Sequence, residues 1–400
     1  MARLLLLSNG HGEDLSGALL GQALKAQGHV VEALPLVGRG NPYSEASIPL
    51  VGRTREFSTG GLGYTTFRGR LTELIQGQVI YLLRRLLRLI RIAGRYDLVV
   101  VIGDVIPVMA AWLCQRPVAT YLVAYSSHYE GRLRLPWPCG SCLRSQRFQA
   151  VFSRDALTAQ DLSEQLKREV VFVGNPFMDS VLSPSNLLPY AKRRLGLLPG
   201  SRRPELEHNL LLLLDVIDQI PISQPSPGDL EIDMALVGAL GDDHLNTLAQ
   251  SHGWSFVLGH GNAPARLEKG GRQIQVRRKA FSSVLLGSDL LLCMAGTAAE
   301  QAVGMAKPVL QLPGQGPQFT AGFAEAQRRL LGPTVFCAAS PCEGKELLTA
   351  TANMALELLE RSVNDPALRR DCREQALQRL GPQGGGSKMA ELISGLLQKS

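Results

Sequence analysis

The sequence predicts an α/β protein built from two doubly wound domains in tandem. Three observations carry that expectation. The chain has 400 residues, more than one core ordinarily organises, so two domains of about 150 to 200 residues are expected. Short apolar runs alternate with longer segments of helical periodicity. Residues 98–102 (LVVVI) form an unbroken, mostly β-branched run of the kind that parallel strands buried on both faces require. The same alternation then restarts after a Pro- and Ser-containing stretch near residue 180.

In chain order, residues 3–7 read as a strand and 15–27 as a helix that Gly28 stops. Strands follow at 30–34 and 98–102, a helix at 108–114, and strands at 118–123, 149–152 and 170–173. The second series opens with a strand at 195–198 and a strong helix at 204–220. Strands are expected at 234–237, 255–258, 274–276, 290–293, 309–312 and 334–336, and helices at 245–250, 281–286, 298–303 and 323–330. From residue 342 onward the pattern is helical, broken near 381–386. The expected domains are residues 1–174, residues 175–380 and a terminal helix, 381–400, that packs back on the first domain. A cleft where the two domains face each other is the default ligand site.

The chain is 45% hydrophobic and 19% charged, which fits a globular protein rather than a disordered one. It contains no run of 18 apolar residues, so no transmembrane helix is expected. The apolar start runs straight into Ser8-Asn9-Gly10-His11-Gly12-Glu13-Asp14, and a buried first strand explains it better than a signal peptide. Seven scattered cysteines fit reduced thiols and a cytoplasmic setting. Cys139-Gly140-Ser141-Cys142 has no second pair at zinc-site spacing, so it reads as incidental and no metal is expected.

The net charge is +7 and is unevenly placed. Residues 1–150 carry 17 Lys and Arg against 9 Asp and Glu, a net of +8, and the remainder carries 25 against 26, a net of −1. The first domain therefore faces something anionic: a membrane, a nucleic acid or a phosphorylated substrate. The basic excess peaks in residues 71–95, where Arg84, Arg88, Arg91 and Arg95 line one helical face and Val79, Leu82, Leu83, Leu86 and Ile90 the opposite one. A core helix with a solvated basic side is one reading. An interfacial helix on anionic lipid is the other, because Leu87, Leu89 and Ile92 flank the arginines. Arg132, Arg134, Pro136 and Trp137 would add to such a surface. Nucleic acid is disfavoured, since no aromatic stacking cluster accompanies the arginines.

Three strand-to-helix junctions carry the glycines and polar residues that bring a backbone close to a ligand. The first, Ser8 to Asp14, lacks the dinucleotide spacing, but Gly10 and Gly12 open a helix start that favours an anion. The second, Leu198-Pro199-Gly200-Ser201-Arg202-Arg203-Pro204, supplies amides and a guanidinium for a diphosphate; a simple helix cap is the alternative, made less economical by the two arginines. The third is Met294-Ala295-Gly296-Thr297-Ala298-Ala299-Glu300, where Glu300 in a first helical turn has two oxygens for a pair of ribose hydroxyls. Gln318, in the following Gly-rich loop, suits a sugar hydroxyl.

Taken in order, Gly174-Asn175-Pro176, Leu198-Pro199-Gly200-Ser201-Arg202 and Gly296-Thr297-Ala298 with Glu300 resemble the VGHP, LPGSR and SGTATLE motifs of the lipid A disaccharide synthases. The resemblance spans roughly residues 1–330 and is strongest in the second half. More distantly the chain is similar to the undecaprenyl-pyrophosphoryl-muramoyl-pentapeptide N-acetylglucosaminyltransferases. The resemblance implies a GT-B glycosyltransferase that inverts configuration, needs no metal or cofactor, and takes a UDP-sugar as co-substrate in its second domain. It implies a lipid-linked acceptor on the first domain, Arg202 on the diphosphate and Glu300 on the ribose. It places the protein in the cytoplasm, peripheral at the inner face of the cytoplasmic membrane.

The first domain departs from the family. GEASGD becomes Gly10-His11-Gly12-Glu13-Asp14, DAPDFN becomes Gly103-Asp104-Val105-Ile106-Pro107, and a WAW segment is missing near Tyr125-Ser126-Ser127-His128. These are acceptor-side elements, so the chain reads as a branch with another acceptor or without transfer activity. Asp104 is the first candidate for the base that takes the acceptor's proton, with a helix cap as its plainer reading, and His11 is the second. A UDP-sugar 2-epimerase of the same fold and a non-catalytic, membrane-associated nucleotide-sugar binder are the rival functions. The basic segment argues against the epimerase.

Overall fold

Strand β1 (Arg3–Ser8) is an inner strand of a five-stranded, wholly parallel sheet. The others are β2 (Val30–Pro35), β3 (Leu98–Ile102), β4 (Val118–Leu122) and β5 (Phe148–Ser153), in the order β2-β1-β3-β4-β5. The structure, a computed structural model, describes every residue except 53, 55–77, 130, 182–186, 222–228, 239, 262, 314–320, 339–343 and 399–400. The chain divides into two compact units, Met1–Ser180 with Gly381–Ser400, and Val181–Leu380.

In the first unit, alternate residues of β1 serve different faces, as strand geometry dictates. Leu5 and Leu7 join a core with Leu89, Val108 and Leu162, whereas Leu4 and Leu6 join Leu20, Leu24, Met389 and Ile393. The helices are α1 (His11–Ala26), α2 (Asn41–Glu45), α3 (Gln78–Ala93), α4 (Val105–Leu113), α5 (Cys139–Leu143) and α6 (Ala156–Leu166). The C-terminal helix, Gly385–Leu397, packs on α1. There His29 Nε2 meets Ser394 Oγ at 2.8 Å.

Two expectations shift here. Residues 170–173 make only a bridge, Phe152 to Val171, because the chain merely crosses the sheet's edge. The unit boundary falls after Ser180 rather than 174, because the turn Pro176–Met178 buries Phe177 and Met178, and Asp179 accepts from Gly384 N (3.1 Å) and Gly386 N (2.8 Å).

The face of α3 also differs from the sequence reading. Leu89 and Ala93 are fully buried, and Leu83, Leu87 and Ile90 are exposed, as are Arg84, Arg88, Arg91 and Arg95. The helix has turned its Leu82, Arg85, Leu86, Leu89 stripe inward, because Arg85 has a use there. Its guanidinium donates to Pro35 O, the last carbonyl of β2, and, at 3.2 Å, to Val51 O. Val79 lies outside the described side chains, and residues 71–77 outside the described residues.

The second unit has eight strands: β6 (Arg193–Leu198), β7 (Leu230–Leu236), β8 (Ser255–Val257), β9 (Ala265–Lys269), β10 (Arg272–Arg278), β11 (Leu290–Cys293), β12 (Val309–Gln311) and β13 (Val335–Cys337). Their order is β13-β12-β11-β6-β7-β10-β9-β8. Only β9 runs against the rest, pairing antiparallel with β10 on one side and with the edge strand β8 on the other. The β9–β10 turn is Gly270-Gly271, φ 55° and 84°, the pair of positive values a type I′ turn demands. Helices α7 (Glu205–Gln219), α8 (Asp242–Ser251), α9 (Phe281–Gly287), α10 (Gly296–Gly304), α11 (Ala321–Leu331), α12 (Gly344–Asn364) and α13 (Pro366–Arg379) complete the unit. Inside it, the fully buried Asp233 of β7 pairs with Arg194 of β6 (2.7 Å) and with Arg277 of β10.

Candidate active site

In an open parallel sheet a ligand site forms outside the carboxyl ends of the strands, where successive connections leave in opposite directions. Each unit has one such point. In the second unit the chain leaves β6 for β7 on one side and later returns to β11 on the other, so the point lies between β6 and β11. The two expected donor loops, Gly200 to Arg202 and Gly296 to Glu300, follow these two strands.

Local bonds hold the two loops together. Met294 N donates to Leu198 O at 2.9 Å, continuing the β6–β11 pairing. The buried Asn209 of α7 donates its amide to Pro199 O (2.9 Å) and Met294 O (3.4 Å), bridging both loops. Gly200 has φ 104°, a conformation that side chains rarely adopt. Ser201 and Arg202 are exposed beside it, while Arg203 is drawn to Glu207 in the first turn of α7 (Nε to Oε1, 2.7 Å). Helix α10 starts at Gly296, after Ala295, so Thr297 is its exposed second residue and Ala298 is buried. Glu300 is half-buried at the fifth position, in the second turn rather than the first, because the helix begins directly at the glycine. Gln318 lies outside the described residues.

In the first unit the corresponding point lies between β1 and β3, and it gathers acids. Asp104 is the N-cap of α4, accepting from Ile106 N at 2.9 Å, so the capping reading holds for one oxygen. Asn9, which no sequence motif singles out, donates its side-chain amide toward the same carboxylate (3.4 and 3.3 Å), and its backbone N–H donates to Glu13 Oε2 at 2.7 Å. A Cβ on Gly103 would stand 2.4 Å from the Glu13 carboxylate, so only glycine lets that acid settle there. Tyr125 accepts from Val105 N (2.9 Å) at the same helix start. Gly10 caps α1 and Gly12 is exposed in its first turn. His11 begins α1, and its side chain lies outside the described ones.

Burial, with the charge of Asp104 close by, pushes Glu13 well above the usual carboxylate range. Burial raises Asp104 too, against the opposing pull of its bonds from Ile106 N and Asn9. Asp14 is fully buried, accepts from Ser8 Oγ (2.6 Å), and is pushed by burial up to about 7. A carboxyl that prefers its proton when folded stabilises the fold below its unfolded value, and that stability drains as pH rises to the folded one. Stability from Asp14 should therefore be lost between about pH 4 and pH 7. Urea melts at pH 5 and pH 8 should differ less for Asp14→Asn than for the native chain; an equal difference would exclude Asp14 as a source.

Neither protein-family models nor curated proteins match the chain. Solved structures do. The calicheamicin glycosyltransferase CalG4 is 19% identical with a TM-score of 0.60, covering 100% of this chain and 99% of its own. The S. aureus MnaA–UDP complex is 15% identical, TM-score 0.56, covering 100% and 97%. The UDP-GlcNAc 2-epimerase from Neisseria meningitidis bound to UDP-GlcNAc is 13% identical, TM-score 0.50, covering 100% of both chains. The fold is GT-B, with two Rossmann-like domains.

Proposed function

We propose that the protein is a glycosyltransferase that moves a sugar, an N-acetylhexosamine or hexose, from a UDP-sugar to a lipid or lipid-linked acceptor, with inversion and without a metal. The observation that carries this is the pinning of the Gly200 and Gly296 loops at the second unit's switch point. Amides at Gly200 and Ser201, the Arg202 guanidinium and the α10 N-terminus meet the diphosphate. Glu300 takes the ribose. The base, Asp104, accepts the proton of an acceptor hydroxyl as that oxygen bonds to the anomeric carbon. The carbon–oxygen bond to the diphosphate breaks, and UDP leaves with the electron pair.

The lipid side of the reading rests on α3. Its exposed Leu83, Leu87 and Ile90 run at i, i+4 and i+7 beside exposed Arg84, Arg88 and Arg91, a pattern suited to an anionic bilayer surface. No helix among the described residues is long and apolar enough to cross a membrane, so the association proposed is peripheral at the inner face of the cytoplasmic membrane.

Arg202→Ala should weaken UDP binding about 10- to 100-fold by calorimetry, the usual worth of a charge-assisted hydrogen bond. Unchanged affinity rejects the donor assignment. Incubation with radiolabelled UDP-sugars and lipid extract then tests the whole reading: label entering the lipid phase supports transfer. Isomerised UDP-sugar without lipid labelling marks the 2-epimerase that the structural neighbours also include, and UDP binding with neither product marks a binder.

A further inference from the structure

Helix α4 starts at Asp104 and carries an apolar track away from it. Ile106, Met109 and Leu113 stand at i, i+3 and i+7, all exposed, with Trp112 beside them. At about 1.5 Å per residue the track is about 10 Å long. It ends in a slot of about 200 Å³ whose walls are Met109, Trp112 and Leu113 of α4 and Pro138, Ser141 and Cys142 at α5. Almost nothing polar faces that slot except Ser141, which makes it a poor site for a sugar or a nucleotide.

A second groove, of about 500 Å³, adjoins the slot and shares Pro138 and Ser141 with it. Its character is opposite. Arg132, Arg134 and Arg144 line it, and no carboxylate does among the described residues. Asp161 lies 3.9 Å from Arg132 Nε and already accepts from Leu133 N, Ser127 Oγ and Gln165 Nε2. Arg147 adds a fourth cation where slot and track meet, its guanidinium 5.4 Å over the Trp112 ring. Trp137, 89% exposed, stands at the groove's rim.

An apolar slot beside a basic groove matches one ligand chemistry, a hydrocarbon chain carrying a phosphate. We infer that this composite site takes a single phosphate-bearing lipid molecule, its chain in the α4–α5 slot and its phosphate on Arg132, Arg134 and Arg144. The site deepens the lipid-acceptor reading and rests on it, because the track leads back to Asp104. It differs from adsorption of the α3 face to a bilayer in one measurable way. A slot binds lipid monomers, and a membrane-facing surface needs an aggregate.

The three tryptophans of the chain make the test direct. Trp112 lines the slot, Trp137 the groove, and Trp254 is buried in the other unit. The full-length chain carrying Trp137→Phe is titrated with lysophosphatidic acid brominated in its acyl chain, below its critical micelle concentration. Saturable quenching of Trp112 is expected, with Trp254 remaining as unquenched background. A brominated monoacylglycerol, which lacks the phosphate, should bind more weakly on the order of tenfold, and so should lysophosphatidic acid to Arg134→Glu/Arg144→Glu. Leu113→Asp should abolish quenching, with circular dichroism and UDP affinity as controls for folding. Quenching that appears only above the micelle threshold, or that survives Leu113→Asp, overturns the site. Loss of slot binding with UDP binding intact removes this inference alone, and slot binding without UDP binding removes the donor assignment alone.

Discussion

Replacing Asp104 by Asn should lower sugar transfer by about 10²- to 10⁴-fold, the usual worth of a positioned general base, with UDP affinity unchanged. The substitution is informative because it separates the two uses of this side chain. Asn is as good an N-cap as Asp, so the bond from Ile106 N can persist and α4 should keep its start. What disappears is the capacity to accept a proton. Two half-buried carboxyls close together do not both ionise readily, and their surroundings decide which does. Glu13 is pushed up chiefly by burial and then by Asp104 itself, whereas Asp104 is helped to stay charged by Ile106 N and Asn9. The charge therefore belongs on Asp104 and the proton on Glu13. Transfer should accordingly rise with pH through a value above the ordinary aspartate range. Turnover of Asp104→Asn within a few-fold of native would reject the assignment and move attention to His11.

The sequence shows this site unevenly, for physical reasons. Strands buried on both faces must be apolar throughout, so Leu98–Ile102 and Leu290–Cys293, which deliver the loops, are readable directly. A half-exposed strand is not: Ala265–Lys269 buries only Leu267 fully and carries Arg266, Glu268 and Lys269, so it is marked only by the Gly270-Gly271 turn after it. The loops themselves are visible through their glycines, but the residues that fix them are not. Asn209 bridges carbonyls 10 and 85 positions away, and no local pattern encodes that. Arg85 is one of several arginines in an amphipathic segment. Its inward turn depends on carbonyls of Pro35 and Val51 that only the folded sheet brings near. Asn9 stands in a legible loop, yet its link to Asp104 spans 95 positions.

Asp233→Ala should destabilise the second unit by about 3–5 kcal/mol, measured as a shift in the urea midpoint. Asp233 is wholly inaccessible to solvent and sits between two guanidiniums. Removing it leaves Arg194, itself 6% exposed at the side chain, with a charge and no counter-charge. A pair of hydrogen bonds from Arg194, its guanidinium to Pro189 O (2.8 Å) and its backbone to Asp289 Oδ2 (2.8 Å), keeps that side chain from swinging out to water. The cost reaches the donor site because Arg194 and Leu198 belong to the same strand, β6, whose end carries Gly200. A joint replacement, Asp233→Leu with Arg194→Met, removes both charges and should recover most of the loss. If the single variant melts like the native chain, the triad is not the electrostatic tie that holds β6, β7 and β10 together. If the double variant melts no better than the single one, packing rather than charge accounts for the loss.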